Sequence, residues 1–416
     1  MDKNMKIAIL HYSTAPVVGG VESVIQAHLE QFAAAGFNLT VISGRGDAVS
    51  LPEGVRFISI PEIDTLHPGI AAQTEDLNRG IVPADFEQMT GQLMDKLHPV
   101  LKDVEHLIVH NVLTKHFNLP LTAALFRLMD AGVLKHVVAI CHDLTWSSPN
   151  SRNKVFPAYP WELLKTIHAR VTYVAISMKR QQEIHETFGL PVEKIPILYN
   201  GVDTKNLLNL TAEGRELIDQ MRLWESDLIM LMPVRVTQAK NIELALRLTA
   251  ALKKTGCAPK LVVTGPPDPH SEASLAYYQT LRELRSQLGV ENEAFFVYES
   301  GNTQDGGRMV DMPVVSDLLR VSDLMLMPSH REGFGMPILE AGLLGIPIFS
   351  TAVPAAVEIA KENFHLIQAD ADPEQLAKLI VDTLGTKSEH RLRVEVRRNY
   401  TWKRVFEKDL LPLLQQ

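Results

Sequence analysis

Short apolar runs alternate with amphipathic stretches along almost the whole chain. In the first half, apolar runs predict strands at Lys6–Tyr12, Leu39–Ser43, Val55–Ile60, His106–Asn111, His136–Cys141, Thr172–Ile176 and Ile195–Leu198. Apolar residues at helical spacing between them predict helices at Val21–Ala35, Phe86–Leu101, Leu119–Met129, Trp161–His168 and Met178–Phe188. The second half restarts the alternation, with strands expected at Leu228–Pro233, Lys260–Thr264, Phe295–Tyr298, Asp323–Met327, Ile346–Ser350 and Phe364–Ile367. Runs this apolar suit strands covered on both faces. The pattern therefore reads as an α/β chain with two Rossmann-like parallel sheets in succession, each wrapped by helices.

Length agrees with two domains, since 416 residues exceed what one core usually organises. The joint falls at "YNGVDTKN", Tyr199–Asn206, where Asn200 and Gly201 make a turn ahead of a polar stretch. With 46% hydrophobic residues and no low-complexity tract, the composition is that of a folded, soluble protein. A net charge of −8 argues against a general nucleic-acid binder. Cys141 and Cys257 are two isolated cysteines, which read as buried thiols in a reducing, cytoplasmic setting and form no metal-ligand cluster. No apolar stretch approaches the ~20 residues needed to span a bilayer. Residues 387–408 carry eight Lys or Arg against three Glu, which leaves open a peripheral contact with anionic headgroups at the inner membrane face. The plainer reading is a helix docked on protein through Trp402, Val405, Phe406 and Leu410.

Ligands of open parallel sheets collect beyond the carboxyl ends of the strands, so chemistry is sought immediately after them. Gly19 and Gly20 follow the first strand and open a helix, a turn that lets a ligand approach backbone N–H groups. They lack the G-x-G-x-x-G spacing of a dinucleotide site, which lowers a nicotinamide oxidoreductase reading. In "VRVTQAKN", Arg235 and Lys240 stand between a strand and a helix that Asn241 is placed to cap, two cations suited to phosphate oxygens. In "HREGFGMPILEAGLLG", Pro337 reads as the first helical position and Gly345 as the stop, which puts Glu340 in the first turn and Glu332 in the preceding loop. Gly333, Phe334 and Gly335 would offer backbone N–H groups, and the two carboxylates would accept hydrogen bonds from sugar and ribose diols.

Gly19-Gly20, "RVTQAKN" and "EGFGMPILE" with its E-x7-E spacing, in this order over almost the full chain, resemble the retaining GT-B glycosyltransferases of family 4. "YNGVD" and "VPAAVEIA" resemble that family as well. The resemblance implies an acceptor domain over residues 1–202, a donor domain over 203–389, a cleft between them, and a helix over about 390–416 that crosses back to the first domain. It implies a hexosyl transfer from a nucleoside diphosphate sugar to a hydroxyl-bearing acceptor, with no cofactor and no metal. Arg235 and Lys240 would bind the diphosphate, Glu332 the transferring sugar and Glu340 the ribose, with Gly19 and Gly20 approaching the phosphates. His142, in "CHDLTW", would stand near the donor sugar, with Asp143 beside it. The loop Ser147–Trp161 would either shape the acceptor pocket or simply pin itself to the core. Pro233-Val234, where a glycine often precedes the Arg, and His330-Arg331 before Glu332 depart from the usual pattern and leave donor choice open. A sugar-nucleotide epimerase and a noncatalytic sugar-nucleotide binder remain alternatives, and nothing in the sequence specifies oligomeric state.

Overall fold

The structure is a computed structural model that describes residues 5–268, 270–301 and 307–415. Two compact units divide the chain between Gly201 and Val202 and again between Thr401 and Trp402. The first unit holds a six-stranded parallel sheet of β1 (Lys6–Ser13), β2 (Asn38–Arg45), β3 (Arg56–Ser59), β4 (His106–His110), β5 (His136–Cys141) and β6 (Val171–Ala175). Its spatial order is β3-β2-β1-β4-β5-β6. Alternate residues of each strand serve opposite faces. Ile7, Ile9, Ile108 and Val138 pack with Ile25, Leu29 and Phe32 of the helix Gly20–Ala34. Ala8, Leu10, Leu107 and Val137 pack with Leu93 and Leu97 of the helix Phe86–Leu101 and with Leu125 of the helix Leu119–Asp130.

The second unit repeats the plan with β7 (Leu228–Met232), β8 (Pro259–Val263), β9 (Ala294–Phe296), β10 (Leu324–Met327), β11 (Ile348–Ser350) and β12 (His365–Leu366), in the order β12-β11-β10-β7-β8-β9. Met230, Met232, Leu261 and Leu324 face one core, and Ile229, Leu231, Val262 and Met325 face the other. The chain is thus two doubly wound α/β domains, the fold class expected from the pattern of apolar runs.

Several expectations need correction. The run Ile195–Leu198 forms no ladder strand and contributes a single bridge, Ile197 to Ala175, because Pro196 has no N–H to donate. Trp161–His168 shortens to a 3-10 turn over Trp161–Lys165, and the helix Pro68–Leu77 was not anticipated. The helix Ser388–Asn399 belongs to the second unit, so the return to the first begins at Trp402 and not near 390.

The basic run from 387 to 408 is largely committed to protein contacts. Arg397 is buried and grips the buried Asp323 with two nitrogens at 3.0 and 2.9 Å, while Arg398 pairs with Asp227 and Arg393 donates to the Arg320 carbonyl. After Thr401, Val405, Phe406 and Leu410 bury themselves against the first unit, where Phe406 meets Phe32 edge-on at 4.8 Å. Among the described residues no helix is long and apolar enough to cross a membrane.

Candidate functional site

The second unit gathers the two charged motifs because β7 and β10 are neighbours in its sheet. The 3-10 turn Gln238–Lys240 follows β7, and the loop Ser329–Gly335 follows β10. Main chain joins them: the His330 N–H donates to the Ala239 carbonyl at 2.9 Å. Lys240 Nζ then reaches Glu332 Oε1 at 2.5 Å, and Ser329 Oγ donates to the same oxygen at 2.9 Å. Only 19% of the Lys240 side chain and 10% of the Glu332 side chain is exposed, so solvent screens this pair little. Lys240 and Glu332, expected to hold different parts of one ligand, are therefore also each other's partners.

Asn241 does not cap the helix Ile242–Lys254 with its side chain. It adopts the left-handed conformation (φ 53°), and its Nδ2 donates to the carbonyls of Pro328 at 3.0 Å and Ala369 at 2.8 Å, tying together the exits of β7, β10 and β12. Thr351 Oγ1 adds the exit of β11 by donating to the Ser329 carbonyl at 2.7 Å. These ties frame a pocket of about 410 Å³ lined by Ser329, His330, Glu332, Thr351, Pro354 and Gln368, among others.

Arg235 is exposed and makes no hydrogen bond or ion pair among the described residues. Its loop is nevertheless fixed. Gly265 donates to the Val234 carbonyl at 3.0 Å and lies so near that a Cβ there would stand 2.5 Å from that oxygen and 2.7 Å from Arg235 Cα. Main-chain lacing holds the loop and leaves the guanidinium uncommitted.

The helix after Glu332 runs from Met336 to Leu343, so Pro337 is its second residue and Glu340 lies in the second turn, not the first. Stabilisation by the helix N-terminus, which fades within one turn, is therefore not what places an acid there. Gly335 has φ 102°, where only glycine sits without strain. The Phe334 carbonyl accepts from Ala355 N–H at 2.9 Å, while Gly333 and Phe334 stay exposed.

In the first unit, Gly19 is the residue before the helix and Gly20 its first residue; the space beside Gly20 is open, but that beside Gly19 is occupied. A Cβ on Gly19 would lie 2.2 Å from Glu22 Oε2, and Ser13 Oγ holds the same carboxylate at 2.6 Å. The expected phosphate approach therefore has an acid of the helix's own first turn next to it, a residue the glycine pair did not signal.

His142 is half-buried just past β5. Asn111, at φ 62°, accepts both the His142 N–H at 2.8 Å and the Asp143 N–H at 3.1 Å through Oδ1. The His142 ring is bonded to His110, with Nε2 2.9 Å from His110 Nδ1. Burial, helped by the charges of His11 and Arg180, lowers the His142 pKa to about 4. His142 is thus neutral near pH 7.

Asp143 is committed to ion pairs, with Lys115 at 2.6 Å and Arg180 at 3.3 Å. The loop Ser147–Trp161 is pinned: Trp161 and Val155 are buried with Leu77, Phe86 and Leu119, and Trp146 Nε1 donates to the Trp161 carbonyl at 3.3 Å. Cys141 is buried and Cys257 only half-buried; both are free, and burial pushes both thiols up to about 12.

Comparison with known proteins divides the chain in the same way. Residues 18–206 match the model described as Glycosyltransferase Family 4, and residues 215–399 match the model described as Glycosyl transferases group 1. An uncharacterized glycosyltransferase of Methanocaldococcus jannaschii is 27% identical over 46% of this chain and 45% of its own length. Mannosylglucosylglycerate synthase of Petrotoga mobilis is 25% identical over 66% of each. The chain thus spans between about half and two thirds of the length of these curated relatives. A solved glycosyltransferase structure from Rickettsia africae covers 99% of this chain and 98% of its own at 19% identity, with a TM-score of 0.36. With the one model matched along its first half and the other along its second, the chain belongs to the family 4, group 1 glycosyltransferases.

Proposed function

We propose that the protein is a retaining hexosyltransferase that moves a sugar from a nucleoside diphosphate to a hydroxyl acceptor. The observation that carries this reading is the meeting of Lys240, Ser329 and Glu332 at the carboxyl edge of the second sheet, beside a 410 Å³ pocket. The hard step is departure of the leaving group, because negative charge grows on the diphosphate as the sugar becomes oxocarbenium-like. Lys240 uses one of its three donors on Glu332, so two remain for phosphate oxygens, and the uncommitted Arg235 adds a forked set.

Glu332, held by Lys240 and Ser329, has a second oxygen to accept from a sugar hydroxyl. Glu340 takes the ribose hydroxyls, and the amides of Gly333–Gly335 lie along the ligand. Gly19 and Gly20 come near the phosphates with Glu22 beside them, and His142 stands near the donor sugar. The departing phosphate oxygen takes the acceptor's proton on the same face, so no protein nucleophile is needed. Cationic side chains carry the charge that a divalent ion would otherwise carry, and the reaction proceeds in chelator. Peripheral membrane contact and a cytoplasmic setting remain part of the proposal, as does the hydroxyl nature of the acceptor.

A panel of UDP, GDP and ADP sugars tests the reading, first by thermal shift and then by nucleotide release with and without sugar or lipid-linked acceptors. Release that depends on an acceptor, with the product's anomeric configuration retained by NMR, is the expected result. If no sugar nucleotide raises the melting temperature and none is consumed, the proposal fails.

A further inference from the structure

Three histidines stand at the carboxyl ends of three adjacent strands: His11 on β1, His110 on β4 and His142 just past β5. They are linked in series. His11 Nδ1 lies 2.8 Å from the His110 carbonyl, and because a carbonyl only accepts, that nitrogen carries a proton. The His110 and His142 rings lie 20° from parallel, their centroids 5.3 Å apart, with the Nδ1–Nε2 contact of 2.9 Å between them.

A neutral imidazole has one N–H and one lone pair, so this contact admits two arrangements. In one, His142 Nε2–H donates to His110, and the proton of His110 then sits on its own Nε2. That nitrogen is fully buried and has no hydrogen-bond partner among the described residues, so an orphaned donor would be locked in the core. In the other, His110 Nδ1–H donates to His142 Nε2, and only a bare lone pair faces the core. Orphaned N–H groups are the rarer of the two in folded proteins, which selects the second arrangement.

We propose that His110 is a positioning residue that holds His142 as the Nδ1–H tautomer, making His142 a hydrogen-bond donor to the ligand and not a proton acceptor. Nδ1 of His142 makes no hydrogen bond among the described residues, so its N–H is available. A neutral donor suits a hydroxyl or phosphoryl oxygen, and it is consistent with a transfer in which the departing phosphate takes the acceptor's proton. The role in transfer rests on the function proposed above, but the tautomer does not, and the two can fail separately.

The test is long-range 1H–15N NMR of the imidazole-labelled full chain near neutral pH, with His142 assigned by its loss in His142→Asn. The expected spectrum has a pyrrole-type Nδ1 and a pyridine-type Nε2 for His142. His110→Asn, whose amide N–H can stand where Nδ1–H stands, keeps that pattern. His110→Leu moves His142 towards the Nε2–H form and lowers kcat by roughly tenfold, the worth of one hydrogen bond at the transition state, and His110→Asn rescues the loss. A pyridine-type Nδ1 on His142 in the wild-type chain overturns the proposal even if the buried Leu variant does not fold. So does a His110→Leu spectrum identical to wild type. The expected tautomer in a chain that consumes no sugar nucleotide would overturn the function and leave the positioning intact.

Discussion

The pair formed by Lys240 and Glu332 makes the sharpest prediction, because it lies where function and stability meet. Lys240→Ala strips Glu332 of its cation and leaves the carboxylate, 10% exposed, with the Ser329 hydroxyl as its hydrogen-bond donor. A charge-assisted hydrogen bond in such a place contributes about 1.5–3 kcal/mol, so the second unit should lose stability of that order in urea denaturation. Glu332→Gln should lose less, since an uncharged amide is cheaper to leave half-satisfied and Lys240, at 19% exposure, can turn to water. The double variant should then be more stable than the sum of the two losses implies, with a coupling of about 1–3 kcal/mol. Turnover follows the same logic. If Lys240 serves the diphosphate, Lys240→Ala lowers kcat/KM for the donor by about one to two decades. Additive stability losses would show that the two side chains do not pair in solution, and full turnover in Lys240→Ala would remove it from the proposed clamp.

Three further outcomes test other parts of the structure. Arg397→Ala leaves buried Asp323 with the Ile229 N–H at 2.8 Å and with His390 and Arg393 no nearer than 3.7 Å, so unfolding free energy should fall by about 3–5 kcal/mol; a loss under about 1 kcal/mol would refute the buried pairing. Gly265→Ala would force its Cβ against the Val234 carbonyl and Arg235 Cα, lowering stability by roughly 1–3 kcal/mol in thermal melts, and an unchanged melting temperature would refute the close approach. Burial holds His11 and His142 at about 4 and His28 at about 3, all below the ordinary 6.5, so the unfolded chain binds more protons than the folded one between those values. First-unit stability should be fully present above about pH 6.5 and fall as pH drops toward 4, and equal urea midpoints at about pH 7 and pH 5 would contradict it.

Most strands were legible because a doubly wound sheet demands continuous apolar runs, and β5 and the helices Phe86–Leu101 and Met178–Phe188 emerge with the limits their patterns predict. The helix Pro68–Leu77 was not legible, since its sequence PGIAAQTEDL buries only Ile70, Gln73 and Leu77, too thin a stripe for periodicity to reveal. Lys240 and Glu332 could be named from their motifs, but their mutual pairing depends on β7 lying beside β10, a neighbourhood far from sequence order. The histidine series was hidden in the same way. Each of its residues lies at or near the carboxyl end of a strand, and only the order β1-β4-β5 makes them a chain. Glu22 is not legible in the sequence because an acid in a helix's first turn is ordinary, and only the approach of its carboxylate to Gly19 and Ser13 singles it out.

The division of the chain has a consequence for the order of its assembly during synthesis. The second unit is one uninterrupted segment and can close its cores as soon as residue 401 has left the ribosome. The first unit cannot, because Ile25, Leu29 and Phe32 meet Ile7, Ile9, Ile108 and Val138 early but share their core with Val405, Phe406 and Leu410, which are translated only after residue 401. A nascent chain therefore leaves the Phe32 edge of its earliest helix, which Phe406 meets, uncovered until residues 402–414 dock, and chaperone occupancy should persist at that edge until they do.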